Sequence, residues 1–97
     1  MANIGAYEIL LSNATATGGD KWWPGGEGVF QAEATWSGAT VTLQFKSDRG
    51  TYIAVGTDTT LTANGAGGFV LHPCFVRALV AGGPPSAVYA SVTRTGG

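Results

Sequence analysis

"ATVTLQFK", residues 39–46, alternates apolar and polar side chains along its whole length. Successive side chains of a strand point to opposite faces, so this period of two predicts a β-strand with one buried face and one wet face. The buried face would carry Ala39, Val41, Leu43 and Phe45, and the wet face Thr40, Thr42, Gln44 and Lys46. The pattern is the most regular in the chain.

Short segments rich in Val, Thr, Phe, Tyr and Ala continue the β pattern on both sides, separated by Gly, Asn, Asp or Pro clusters. They are 5–12, 28–36, 51–56, 59–62, 69–72, 75–82 and 86–94. No segment has the 3.6-residue period of a helix. Seven or eight short strands predict one all-β domain over residues 1–97, a small antiparallel β-sandwich of jelly-roll or immunoglobulin-like type. Residues 1–4 and 95–97 are expected to be flexible tails.

The composition is poor in charge. Lys, Arg, Asp and Glu make up 11% of the chain, against roughly 25% in an average soluble domain, and the net charge is −1. Either Ser, Thr and Gly solvate the surface, or much of it is buried against other chains, which we favour. The five cations are scattered rather than clustered, so the basic patch that nucleic-acid binding requires is not seen.

The cysteine count and the lengths of the apolar runs indicate the cellular compartment in which the protein folds. Cys74 is the single cysteine, which excludes an internal disulfide. The N-terminal sequence has neither the basic region nor the long apolar region of a signal peptide, and no run approaches the ~18 apolar residues of a membrane span. We therefore expect folding in a reducing cytoplasm and no membrane partner.

The residue types that carry catalysis are few and dispersed. His72 and Cys74 could share one face of a strand, but side chains two apart lie roughly 7 Å from each other, beyond hydrogen-bonding reach. We expect a buried Cys74 and a His72 at a strand end. Carboxylates occur singly, and the glycine-rich "GGEG" and "NGAGG" lack the Lys-Ser/Thr of a phosphate loop, so both are predicted to be loops. No catalytic, cofactor or metal site is predicted, and we expect a protein that is not an enzyme.

The aromatic residues divide into two groups. Strand positions predict a core location for Phe30, Trp36, Phe45, Phe69 and Phe75. Trp22 and Trp23 precede "PGG" and are predicted to lie in a loop. Three uses for this pair stay open: capping the open end of the sandwich, anchoring a protein interface, or stacking on a sugar ring.

The runs "GVFQAEATWSGATVTLQFKSDRGTYIAVGTDTTLTANG" and "FVRALVAGGPPSAVYASVTR" resemble small β-proteins encoded among the virion structural genes of tailed bacteriophages. The likeness covers about residues 26–94 and leaves out "DKWWPGG". Proteins of this kind look like capsid decoration, or cement, proteins. The resemblance implies a virion protein assembled in the host cytoplasm, without a catalytic motif, that binds the major capsid protein and copies of itself, with a trimer matching the three-fold positions of a capsid lattice.

The sequence therefore predicts a set of interface residues rather than an active site. The set is Trp22, Trp23, Pro24, Pro84, Pro85 and Tyr89. One tryptophan is expected to pack on its own sandwich and the other on a neighbour. The alternative function is a carbohydrate-binding module on the virion head or tail surface, with the same tryptophans stacked on surface glycans.

Overall fold

A computed structural model describes residues 7–96, which form nine β-strands and one turn of 3-10 helix, Thr57–Thr59. The strands are β1 Tyr7–Ala14, β2 Lys21–Trp23, β3 Gly26–Thr35, β4 Thr40–Lys46, β5 Tyr52–Ala54, β6 Thr60–Leu61, β7 Gly65–Leu71, β8 Cys74–Ala81 and β9 Ser86–Gly96. Across this part of the chain, no helix is both long enough and apolar enough to span a bilayer.

The strands form two antiparallel sheets that pack face to face. The four-stranded sheet has the order β1-β9-β3-β7, and the five-stranded sheet has β2-β8-β4-β5, with β6 also beside β4. β5 and β6 pair with successive parts of β4, so together they act as one interrupted edge strand. The predicted sandwich is confirmed. The chain crosses between the sheets at most connections, and the last strand lies between the first and the third, which is the topology of a jelly roll rather than of an immunoglobulin domain.

Alternation along the central strands builds the core, as the sequence predicts. In β3, Phe30 and Ala32 are buried while Gln31 and Glu33 are exposed. The other large members of the core follow the same rule in their strands: Val41, Leu43, Val76, Val88 and Val92. The residues next to these core positions point to the opposite side of each sheet. Both outer faces of the sandwich therefore carry mixed polar and aromatic side chains.

A β-bulge in β1 breaks the simple alternation. The pairing with β9 shifts between Ile9 and Leu11, and both Leu10 and Leu11 are buried. A bulge adds one residue to its strand, so two adjacent side chains can turn to the same face. The first strand therefore contributes two leucines to the core where a regular strand would contribute one.

The two glycine-rich stretches predicted as loops are strands, and that prediction was wrong. Gly28 lies in β3, where an added Cβ would come within 2.5 Å of the Trp23 ring. Gly67 lies in β7, where an added Cβ would come within 1.6 Å of the Asp58 backbone oxygen. Glycine in a strand interior often marks such a close approach by another group. These glycines make room for neighbours rather than for a turn.

The strand limits also differ from the prediction at several places. β9 continues to Gly96, two residues beyond the strand end predicted at 94, because the first residues of β3 pair with it from Glu27 onward. The strand expected over 59–62 is reduced to β6 by the preceding 3-10 turn. The tail predicted at 1–4 and the first residues of the strand predicted at 5–12 lie outside the described residues.

Candidate functional site

Trp22 and Trp23 lie in β2, not in a loop as predicted. β2 pairs antiparallel with β8, placing Trp22 opposite Phe75 and Trp23 opposite Cys74. Neighbouring side chains of a strand face opposite ways. Trp23 accordingly points into the core and is 1% exposed, while Trp22 points outward and is 50% exposed.

Trp23 is an internal packing residue. Its ring contacts that of Phe69, with centroids 4.9 Å apart and an angle of 52° between the planes. The missing side chain of Gly28 leaves space for the far edge of the indole. The indole Nε1–H is buried, with no hydrogen-bond partner in the described part of the chain. Packing rather than hydrogen bonding therefore holds this side chain in place.

Trp22 packs against Phe75 on the outer face of the five-stranded sheet. The two ring centroids are 5.1 Å apart, and the planes meet at 74°. Phe75 is 44% exposed, so its predicted place in the core is wrong. The alternation in β8 could have indicated this, because Phe75 lies on the same face of the strand as Arg77. The buried Cys74 and Val76 lie on the other face. We call these two rings the Trp22–Phe75 pair.

A small depression borders the pair at the edge of the sandwich. Its volume is about 190 Å³, and Tyr7, Glu8, Trp22, Trp23 and Pro24 line it. β1 and β2 belong to different sheets but come close together here, which brings Tyr7 near the two tryptophans. The exposed Pro24 extends the apolar surface of the Trp22–Phe75 pair along this edge.

A polar cluster lies on the outer face of the same sheet. The Arg77 guanidinium carbon is 3.6 Å from the centroid of the Tyr52 ring, and Arg77 Nε donates to Gln44 Oε1 at 2.9 Å. The Tyr52 hydroxyl donates to the Asp20 carboxylate, which also lies 3.8 Å from Lys46 Nζ. Exposed ion pairs contribute little to stability, so we assign this cluster to orienting side chains on the face rather than to holding the fold.

Two groups with raised pKa values, the buried Cys74 thiol and to a smaller extent the solvent-accessible Tyr52 phenol, make the stability of the fold sensitive to alkaline pH. The hydrogen bond to Asp20 raises the pKa of the Tyr52 phenol above its ordinary 10.0, with burial and the Asp20 charge adding to it. Burial raises the pKa of the Cys74 thiol above 9.0. A raised pKa in the folded state means that the unfolded chain loses the proton first, so the stabilisation is complete below pH about 9 and is lost as pH rises through the folded values.

We therefore expect the urea midpoint to fall as the pH is raised above about 9. Tyr52→Phe should flatten the part of this fall above about pH 10, since it removes the Tyr52 phenol, and should leave the part that belongs to the Cys74 thiol. Tyr89→Phe is the matched control, because it removes an exposed phenol that makes no bond to Asp20, and it should leave the slope as in the wild type. An unchanged slope in Tyr52→Phe would show that this hydrogen bond does not set the titration.

The predicted positions of His72 and Cys74 are confirmed. Cys74 is buried in β8, and His72 is exposed just after β7, edge-on to the Phe45 ring at 5.8 Å. The thiol faces the core and the imidazole faces outward, so the two do not meet as nucleophile and base. Within residues 7–96, no three side chains among His, Cys, Asp and Glu come together in a metal-binding group.

Apart from Trp23, which is buried in the core, the residues predicted for an interface lie in three places. Trp22 and Pro24 share the sandwich edge described above. Pro84 and Pro85 lie beyond the other end of β8, roughly 20 Å from Phe75 at the usual strand rise, with Pro84 exposed and Pro85 buried. Tyr89 lies on the outer face of the four-stranded sheet and lines a separate groove.

Comparisons with known proteins add little. No protein-family profile matches the chain, and no curated protein sequence matches it. A structural match exists to a chain of the "Structure of infectious bursal disease virus Gx strain", at 23% identity and a TM-score of 0.29. The match covers 96% of this chain and 28% of that one. At so low a TM-score it supports neither a shared fold nor a shared role.

Proposed function

We propose that the chain is a non-enzymatic virion structural protein, a decoration or cement protein that binds the major capsid protein and stabilises the head. The observation that carries the proposal is the half-exposed Trp22–Phe75 pair. Two large rings in contact leave an apolar surface in water that docking on a partner would bury. Tryptophan is enriched among the residues that dominate protein interfaces.

The composition and the sequence likeness support the same function. With Lys and Arg numbering 5 and Asp and Glu 6, the surface has few charges to keep a free monomer solvated. A protein that buries much of its surface in an assembly tolerates this. The jelly roll itself does not discriminate, because capsid proteins and lectins both use it and a fold alone does not assign function.

Self-association completes the proposal. Homo-oligomers are usually closed and symmetric, and a trimer would match the local three-fold positions of a capsid lattice. Many modest contacts repeated over a shell would resist internal pressure through multivalency. On this account the protein folds in the host cytoplasm and resides in the virion.

A sugar platform built on the tryptophans is the weaker alternative. Trp23 is buried and cannot stack on a ligand. Trp22 keeps an exposed face, but its ring meets that of Phe75 at 74°, so the two rings form no common flat platform. An edge-to-face pair fits the irregular surface of a protein partner better.

The test is co-sedimentation of the purified protein with empty heads of the phage that encodes it. Trp22→Ala and Phe75→Ala should each weaken binding by about 30-fold or more, the loss of about 2 kcal/mol that marks a dominant interface residue. Val70→Ala is the matched control, since it removes an exposed apolar side chain from the other sheet, and it should bind as the wild type does.

Two results would contradict the proposal. Wild-type protein that stays in the supernatant at every head concentration would exclude the capsid as partner. Equal binding by wild type and Trp22→Ala would show that the Trp22–Phe75 pair is not the docking surface. Circular dichroism on each variant would establish that the compared proteins are folded.

A further inference from the structure

The outer face of the four-stranded sheet carries a groove that the proposed function does not use. Its volume is about 530 Å³, within the roughly 300–1,000 Å³ of small-molecule sites. Its floor lies on β9 and β3, the two central strands, where Ser91 pairs with Gln31 and Tyr89 with Glu33. Small residues of β7, among them Ala66, form one side, and this keeps the groove open.

Aromatic and apolar side chains border the opposite side. Tyr7 and Ile9 extend from β1, and Tyr89 rises from β9. Tyr7 is 62% exposed and Tyr89 45%, so both rings have faces available to a ligand. Tyr7 lines both this groove and the depression beside Trp22, whereas Tyr89 lines this groove and not the depression.

The end of the groove holds an oriented amide. Asn64 Oδ1 accepts a hydrogen bond from the Ala34 backbone N–H at 3.0 Å and another from Trp36 Nε1 at 2.8 Å. Two donors on one atom identify it as the oxygen and fix the side chain. The Asn64 amino group, with its two donors, is then the end left for a ligand.

The lining chemistry selects one class of ligand. Among the described residues that line the groove, none is Lys, Arg or His, and Glu33 is the single carboxylate, so a phosphate or sulfate would find no counter-charge. Amide and hydroxyl groups both donate to and accept from sugar hydroxyls, and a carboxylate accepts from them. Exposed tyrosine faces suit the C–H faces of sugar rings.

A protein occupant fits less well. β9 and β3 each have a hydrogen-bonded strand on both sides, so an added peptide strand has no backbone edge to join in the floor of the groove. A second protein surface would have to bury Gln31 and Glu33, at the free-energy cost of desolvating polar groups. A short polyhydroxylated ligand can instead be held by side chains alone.

We propose that this groove binds a short, neutral oligosaccharide, with Tyr89 as the stacking residue and Gln31, Glu33 and Asn64 as hydrogen-bonding groups. The site is independent of capsid docking and does not rest on it. If both hold, one face of the protein fastens it to the head and another binds a glycan.

The experiment screens the purified wild-type protein on an array of neutral oligosaccharides. The best-bound glycan is then titrated by NMR, following the side-chain amides of Gln31 and Asn64. We expect both amide signals to shift on titration, and Tyr89→Ala and Gln31→Ala each to weaken binding at least tenfold. Trp22→Ala, outside the groove, is the control and should bind the glycan as the wild type does.

Several outcomes would overturn the proposal. An array without a bound glycan, or binding that Tyr89→Ala leaves unchanged, would exclude the site. Loss of glycan binding in Trp22→Ala but not in Tyr89→Ala would show that the glycan binds at the five-stranded sheet instead of in the groove. Amide shifts that follow protein concentration instead of glycan would show that a second copy occupies the groove. Failure here leaves the head-binding result untouched, because heads and glycans are assayed separately.

Discussion

Trp23→Ala is expected to destabilise the fold by about 3–5 kcal/mol, whereas Trp22→Ala should cost about 1 kcal/mol or less. The two residues are adjacent in β2, but only Trp23 is enclosed by the core. Removing its ring leaves a cavity against Phe69 and beside Gly28, and the surrounding strands can close it only in part. Removing Trp22 exposes one face of Phe75 and opens no cavity.

Urea denaturation followed by circular dichroism measures both changes. A small domain has a total stability of roughly 5–15 kcal/mol, so Trp23→Ala should be marginally folded or unfolded at room temperature. Trp23→Phe keeps the apolar contact and gives up an N–H that makes no hydrogen bond in the described chain, so it should recover most of the loss. Equal destabilisation by Trp22→Ala and Trp23→Ala would mean that β2 does not direct the two rings to opposite sides.

Gly67→Ala is the second substitution with a large expected effect, about 3 kcal/mol or more. The new Cβ would lie 1.6 Å from the Asp58 backbone oxygen, a distance that no side-chain rotation can relieve. Either the 3-10 turn or β7 must move, and such overpacking is destabilising. The expected result is a large drop in the midpoint of thermal unfolding.

Gly65→Ala provides the matched control in the same strand. A Cβ at Gly65 would meet its nearest neighbour, the Ala63 oxygen, at 3.8 Å, an ordinary contact. The change should alter stability by less than about 1 kcal/mol. If Gly67→Ala unfolds at the same temperature as Gly65→Ala, the 3-10 turn does not pack over β7 as described.

Regular alternation is what made the fold predictable. The period of two in residues 39–46 and in β9 places Val41, Leu43, Val88 and Val92 in the core without any knowledge of partners. The Ser37–Gly38 dipeptide is likewise a local signal for a tight turn, and there the Ala39 N–H donates to the Trp36 carbonyl at 2.8 Å. Such features can be predicted from the sequence because each is determined by residues that are close together in the chain.

Features set by distant parts of the chain could not be predicted in this way. β2 has three residues and exists because β8 pairs with it, so nothing local distinguishes it from a loop. The glycines of β7 look like turn residues until the Asp58 carbonyl is seen above Gly67. The bulge at Leu10 depends likewise on the register with β9.

The candidate sites were predictable only in part. The two adjacent tryptophans point in the sequence to the edge where we propose docking, but which of the two rings is exposed depends on the direction of β2. Because Phe75 shares a face of β8 with Arg77, alternation could have placed it on the outer surface, although its apolar neighbours favoured the core. The groove brings residues from β1, β3, β7 and β9 together, and no sequence spacing connects Tyr89 to Asn64.

Electron cryomicroscopy of empty heads incubated with the purified protein would show whether the protein binds the capsid and through which surface. We expect added density of jelly-roll size at regular positions of the capsid lattice, with the Trp22–Phe75 pair against the shell. Bare heads at saturating protein would contradict it. So would bound protein that turns the Trp22–Phe75 pair to solvent.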